Sequence, residues 1–379
     1  MTRDIVHVAI QKAPSYDTGL CEQLKTALTD SGFMDLLRAS PSRVLVKPNL
    51  IHAALPDMAR TTHPAVVESV VNILQDEGHE VILADSYSGA RLWNESGLRS
   101  VYRKTGMDAV AERTGCRLNW DTRWSIREIP SGSVIKRVEM MNVVDEVDWI
   151  VNIPKLKTHV YTGFTAAVKN MFGLVPGHFK VSYHARFADA QTFACALSDI
   201  ALSFPVRLTV VDAIMAMEGN GPTGGTPRHV GAVFMGDDML AVDTVAARIC
   251  GYDPGVFHWL PSRSIEINGL KPESLLPGAL RRPDSHKQGM GVFSNSFIRS
   301  LGQRILRDVF APVPTADITQ CVQCGDCVNA CPTSAMIQYD KHAAPKVLKD
   351  RCIRCYCCHE ACQHTALIID PPRFARWFA

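Results

Sequence analysis

The densest chemistry in the sequence lies near its end. There CVQCGDCVNACP, residues 321–332, sets Cys321, Cys324, Cys327 and Cys331 within one short run and follows the last with a proline. In the spacing C-x2-C-x2-C-x3-C-P, three close thiolates take three corners of one iron–sulfur cubane while the fourth reaches a second. Such an arrangement demands a partner run. It arrives as CIRCYCCHEAC, in which Cys352, Cys355, Cys358 and Cys362 repeat the same intervals. A zinc ribbon also uses paired C-x2-C units, but two superimposable runs of four cysteines exceed what one tetrahedral ion needs.

The two runs resemble the bacterial two-cluster ferredoxins over residues 315–370. That resemblance implies two 4Fe-4S clusters, one held by Cys321, Cys324, Cys327 and Cys362, the other by Cys352, Cys355, Cys358 and Cys331. The chain departs from the pattern in two places. Gln363 stands where a proline normally follows the second run, and Cys357 adds a thiol beside Cys358. Either can be the ligand, although only Cys358 keeps both intervals intact. Exposed clusters would suit an anaerobic or low-oxygen setting.

A second concentration of reactive side chains follows short β-branched runs. RVLVKPNL carries Lys47 and Asn49 at its exit, EVILADS ends at Asp85 and Ser86, WIVNIP runs into KLKTH, and RLTVVDA ends at Asp212 with Glu218 just beyond. In open α/β sheets, ligands bind at the carboxyl ends of strands, so these four exits point to one site. If the strand continues through KLKTH, then Lys155, Lys157 and His159 share one face. Two ammonium groups and an imidazole can clamp an anion, polarise a carbonyl or deliver a proton. They are expected to line an open cleft with Lys47 and Lys169, and Asn170 adjoins Lys169. The glycine-rich GNGPTGGTPRH, residues 219–229, is read as a tight turn or an anion-binding loop. It matches neither common nucleotide motif. His63, His178 and His184 are scattered and read as hydrogen-bonded groups in preference to metal ligands.

The elements that must position these groups form an α/β body with a largely parallel sheet. DIVHVAIQ, RVLVKPNL, EVILADS, WIVNIP, RLTVVDA and HVGAVFM are its candidate strands. HPAVVESVVNILQDEG supplies a crossover helix that starts at Pro64 and stops at Gly78. SGLRSVYRKTGMDAVAERTG, FTAAVKNMFG, DAQTFACALSDIALSF and MLAVDTVAARICG supply more helices. The body, possibly of two lobes, is assigned to residues 1–260. Residues 261–314 read as loop or linker around an amphipathic helix, 296–310, that docks a small α+β ferredoxin-like domain at 315–379. The same basic helix is also of the kind that lies on a membrane.

At 379 residues, 46% hydrophobic and a formal charge of +2, the chain supports a full-sized core and no strongly basic surface. Nucleic acid is therefore not an expected partner. The beginning, MTRDIVHVAIQKAP, lacks the apolar stretch of a secretion signal, and no transmembrane segment is expected. With thirteen cysteines, the chain is expected in the reducing cytoplasm.

VLVKPNL, TTHPAVVESVV, ADS, VNIPKLKTH, AAVKNMFGLVPG, VDAIMAMEGNGPTGGTP and LAVDTVAARICG together resemble, in order, the motifs of the domain of unknown function 362 family, over residues 5–255. The resemblance implies a fold similar to that of the lactate racemase family and frequent fusion to a ferredoxin-like module. It carries over neither a nickel cofactor nor racemase activity. The expected function is that of an iron–sulfur oxidoreductase acting as a reductase. Its clusters would relay single electrons from an external donor, such as a ferredoxin or flavodoxin, to a small anionic or carbonyl-bearing substrate or an organic cofactor. The proposed catalytic set is Lys47, Asp85, Lys155, Lys157, His159 and Lys169, with Asn49, Asn170, Asp212 and Glu218 binding substrate. The alternatives are a carrier that presents its clusters to a partner, and a non-redox enzyme with structural clusters.

Overall fold

The computed structural model describes residues 5–284 and 313–369, apart from 39, 89–92, 188, 262–263 and 276–277. The expected helix at 296–310 lies outside the described residues. The strands are Ile5–Lys12 (β1), Arg43–Pro48 (β2), Glu80–Leu83 (β3), Arg117–Leu118 (β4), Trp124–Glu128 (β5), Arg137–Met141 (β6), Trp149–Ile153 (β7), Lys155–His159 (β8), Gly163–Thr165 (β9), Val206–Glu218 (β10), Thr226–Gly236 (β11) and Ser264–Gly269 (β12). Four short strands follow in the C-terminal domain: Pro314–Ala316 (β13), Met336–Ile337 (β14), Lys346–Val347 (β15) and Leu367–Ile369 (β16).

Ten strands form one sheet in the order β12-β1-β11-β10-β7-β2-β3-β4, with β8 joined to β10 and β9 to β8. The pairs β10–β7, β7–β2, β2–β3, β3–β4 and β1–β12 are parallel, whereas β11 runs antiparallel to both β1 and β10. The body is therefore α/β with a largely parallel sheet. Alternation along each strand divides the apolar side chains between two cores. Leu45, Ile82 and Ile150 belong to one, and Val44, Val46, Val81, Leu83 and Val151 to the other. A sheet buried on both faces needs helices on both. The crossover helix Pro64–Asp76 begins at the expected proline, and Gly78 follows it at φ +85°. The long helical run at 96–115 is split by Gly106, at φ +79°, into Glu95–Thr105 and Met107–Thr114.

The central feature is the passage from β7 into β8. Both lie parallel to the thirteen-residue β10, which pairs Thr209 with Asn152, Asp212 with Lys155 and Met217 with Lys157. Pro154 separates them because it has no N–H to give to the ladder, yet its carbonyl still accepts from Asp212 N at 2.9 Å. KLKTH thus continues the strand, as the alternation requires.

The stretch SIEING, inside the segment read as loop or linker, is instead the edge strand β12, in register with β1 from Ile5↔Ser264 to Ile10↔Gly269. Its Ile265 and Ile267 pack on the body's core, and Leu280 beyond it is buried. Truncation tests this directly. A chain ending at residue 260 is expected to melt at lower temperature than one ending at 284, followed by circular dichroism. Equal midpoints would show that β12 adds nothing to the body.

Candidate functional site

Two buried ion pairs organise the strand exits. Lys47 Nζ lies 2.7 Å from Asp85 Oδ1, and Lys155 Nζ lies 2.9 Å from Asp212 Oδ2, with every member at most 3% exposed. Burial lowers the pKa of both lysines, against the pull of their aspartates. Each carboxylate is further satisfied. Asp85 Oδ2 accepts from Leu50 N at 2.6 Å. Asp212 accepts from Tyr16 Oη at 2.9 Å and His63 N at 2.9 Å. Lys155 donates to the same Tyr16 oxygen at 2.8 Å, and the phenol stacks on His63. Lys47, Lys155 and Asp212 are therefore braces between strands.

This corrects the expectation of an open cleft lined by KLKTH: Lys155, Lys157 and His159 are all at most 1% exposed. Among the described residues Lys157 has no carboxylate in contact, and it donates to Asn49 Oδ1 at 2.7 Å and to the Arg60 carbonyl at 2.8 Å. Burial, with the charge of Lys169 next, pushes its pKa far down. His159 Nδ1 accepts from the Tyr161 and Thr162 amides at 3.0 and 3.2 Å. That assigns the ring proton to Nε2, which lies 3.1 Å from Glu360 Oε1 across the domain boundary. Burial, reinforced by Lys169, lowers the imidazole pKa to about 3. Glu218 stands apart, accepting from Arg281 N at 3.0 Å.

The open space lies on the far side of Asn49 and Asp85. A small cavity open to solvent is walled on the body side by Asn49, Asp85, Lys169, Asn170, Lys180 and His184. Ala330, Cys357 and Glu360 of the C-terminal domain complete the wall. Lys169 makes no direct ion pair among the described residues. Burial alone would raise the Glu360 carboxyl, but Lys169 and His159 outweigh it and hold the group below its usual range. Lys180, His184 and Glu360 were not among the expected catalytic or substrate residues. Lys180 and His184 sit one turn apart on the helix Gly177–Arg186, which has no clean apolar period to announce it. The 219–229 loop is a docking element: Thr223 Oγ1 donates to the His359 carbonyl at 3.2 Å, and a Cβ on Gly224 would lie 2.6 Å from His359 Nε2.

In the C-terminal domain, Cys321, Cys324, Cys327 and Cys362 line one cavity. Burial and then the neighbouring Cys362, Cys324 and Cys321 push the Cys327 thiol up to about 12, which marks how closely these four thiols crowd together. Cys331, Cys352, Cys355 and Cys358 lie within electrostatic reach of one another. The two runs wind alike: Gln323 and Gly325 in one, Arg354 and Tyr356 in the other, all take positive φ. Left-handed backbone costs a non-glycine residue about 1–2 kcal/mol, which the closing of a ligand loop explains. The amides of Ala335 and Met336 donate to Cys331 Sγ and that of Ala366 to Cys362 Sγ, at 3.1 to 3.3 Å. Sulfur-directed amides and matching turns are features that iron–sulfur ligand loops need. Cys358 turns to the second group, and Cys357, which lines the main cavity, is also hydrogen-bonded to Cys355 of that group.

The brace at Asp85 has no room to spare. A Cβ on Gly173 would lie 2.0 Å from Asp85 Oδ1 and 2.4 Å from Lys47 Nζ. Gly173→Ala is expected to cost roughly 3–5 kcal/mol, the scale of breaking a buried ion pair. Gly78→Ala, strained in backbone but sterically open, should cost only about 1–2 kcal/mol. Denaturant unfolding of the two variants checks the contrast, and equal losses would refute a tight brace.

Comparison with known proteins agrees with this architecture. Residues 44–248 match the family described as domain of unknown function (DUF362), and residues 314–363 match a 4Fe-4S dicluster domain. A thylakoid-associated protein of Synechocystis sp. is 30% identical over 290 residues, 75% of this chain and 85% of the relative. The lactate racemase apoprotein from Thermoanaerobacterium thermosaccharolyticum matches with a TM-score of 0.41 and 13% identity. That match covers 65% of this chain and spans 57% of the racemase, a likeness too slight to carry chemistry. No helix among the described residues is long and apolar enough to cross a membrane. The chain is an iron–sulfur protein that belongs to the DUF362 family and bears its 4Fe-4S domain at the C-terminal end.

Proposed function

We propose that the protein is an oxidoreductase, acting as a reductase, in which two 4Fe-4S clusters serve a ligand bound in the cavity between the body and the C-terminal domain. The observation that carries this reading is the makeup of the cavity wall. Ala330 and Cys357 line it, and each is the chain neighbour of a thiol of the second group, Cys331 and Cys358. When bound, the clusters supply single electrons over a range that includes low potentials. Lys169, Lys180, Asn49 and Asn170 are the residues placed to bind and orient the ligand. Lys47, Lys155, Asp212 and Lys157 act behind them by holding the strand ends still. Glu218 is left out of the ligand site because it lies elsewhere.

The domain contacts support coupling between the two parts. Tyr356 and Ile369 join the body's apolar core, and Arg60 donates to the Gln363 carbonyl at 3.1 Å. Cys324 is exposed, and so are Ile318 and Val322 beside it. This outer face suits an external electron donor of the ferredoxin or flavodoxin kind. A protein that only carried electrons would need no walled cavity beside its inner thiols. The thylakoid association named for the relative from Synechocystis makes a membrane-adjacent setting one to compare with the cytoplasmic reading.

The direct test is to reduce the anaerobically purified protein with reduced methyl viologen and add small carbonyl-bearing carboxylates. Reoxidation of the clusters by a small molecule, followed by absorbance, supports the reductase. Clusters reoxidised only by a partner protein would make the chain a carrier. Metal analysis should find about eight irons and eight acid-labile sulfides per chain, as two cubanes require. Cys358→Ser should lose about half of that iron while Cys357→Ser keeps it. The reverse result would reassign the ligand.

A further inference from the structure

Lys180 has the wrong surroundings for a brace. It is 8% exposed, lines the cavity, and donates from Nζ to one acceptor among the described residues, the Ser86 carbonyl, at 3.1 Å. An ammonium carries three donors, so two have no acceptor among the described residues. The acid on the neighbouring strand exit, Asp85, is already engaged by Lys47 and Leu50 N. Among the described residues, the charged groups facing Lys180 are Asp85 and Lys47 from the strand exits, Lys169 from the helix Ala167–Met171 and Glu360 from the C-terminal domain, and the titratable His184 and Cys357 line the same cavity. Burial lowers its pKa to about 7; Asp85 opposes this, and Lys47 and Lys169 add to it. Lys47, Lys169 and the protonated Lys180, set against Asp85 and Glu360, leave the described wall of the cavity with one positive charge in excess. A ligand bearing one negative charge balances it.

We propose that Lys180 is the proton donor of this cavity, and that its ligand is a compact monocarboxylate anchored by Lys169 with a reducible carbonyl beside Lys180. The proposal rests on the reductase reading. Reduction of the carbonyl to an alcohol takes two electrons and two protons. The C=O π bond breaks and one O–H and one C–H bond form. The electrons originate with an external one-electron donor protein. The Lys180 ammonium gives one proton to the oxygen, and solvent at the cavity's mouth gives the other to carbon. Lys180 is left as the neutral amine and is reprotonated from solvent.

The test uses the full-length, cluster-loaded protein and involves no electron transfer, so it stands or falls separately from the reductase reading. Trace labelling with acetic anhydride between pH 5 and 9, with peptide mass spectrometry, reads the reactivity of each lysine. Lys180 should titrate at about 7, well below surface lysines near about 10.4. Oxamate, an inert monocarboxylate with an amide carbonyl, should shield it roughly tenfold at about ten times its dissociation constant. Lys169→Met should abolish the shielding while leaving the titration of Lys180 low. Titration of Lys180 with the surface lysines would overturn the proton donor. Absent shielding, or stronger shielding by inorganic phosphate, would overturn the monocarboxylate, and shielding that survives Lys169→Met would overturn the anchor.

Discussion

The structure depends on burying charge at the exits of its central strands. Lys47–Asp85 and Lys155–Asp212 are closed pairs in the interior. Desolvating such groups costs several kcal/mol per ion unless the partner and further hydrogen bonds compensate. The surrounding architecture is that compensation. Tyr16 comes from the segment after β1, the Leu50 amide from the turn after β2, and the His63 amide from the start of the crossover helix. Gly173 is bare so that the first pair can fit beside it. A pair that loses one member leaves an orphaned charge, so each pair pins several segments to one geometry.

The same rigidity defines what remains free. Once Lys47 is spent on Asp85 and Lys155 on Asp212, the groups left to meet a ligand are those facing the C-terminal domain. Lys169 and Lys180 come from helices that cap the sheet, while Glu360 is brought from the other side of the boundary to within 3.1 Å of His159. The cavity therefore exists only where the body and the iron–sulfur domain meet. Asn49 links the two layers: it accepts from the buried Lys157 and donates to Asn170 on the cavity wall.

The legible parts of the molecule were those written locally. The cysteine runs declare themselves through fixed intervals, and the body's strands through short β-branched stretches, so the α/β class and the iron–sulfur domain could both be read. KLKTH was rightly continued as a strand, and its alternation was rightly seen. What its lysines face was not visible, because Asp212 lies 57 residues from Lys155 and Asp85 lies 38 from Lys47. Strand pairing across a sheet sets those distances. Lys180 was hidden for a different reason, as GHFKVSYHAR has no apolar stripe to mark a helix, and His184 could be named but not placed beside it. β12 could have been found: Ile265 and Ile267 alternate with Ser264, Glu266 and Asn268, the period of a half-buried strand. Glu360 stands between cluster thiols in the sequence, and only the fold carries it to the cavity.

The central claim is that the second thiol group and the cavity share a wall. Crystals of the anaerobically prepared, cluster-loaded protein, measured at the iron absorption edge, test it most directly. The account predicts an iron peak within Cys331, Cys352, Cys355 and Cys358, abutting Ala330 and Cys357, with Glu360 still against His159. An iron peak held by other residues would contradict it. So would a helix Cys357–Ala361 turned away from the body, leaving the cavity without its iron–sulfur wall.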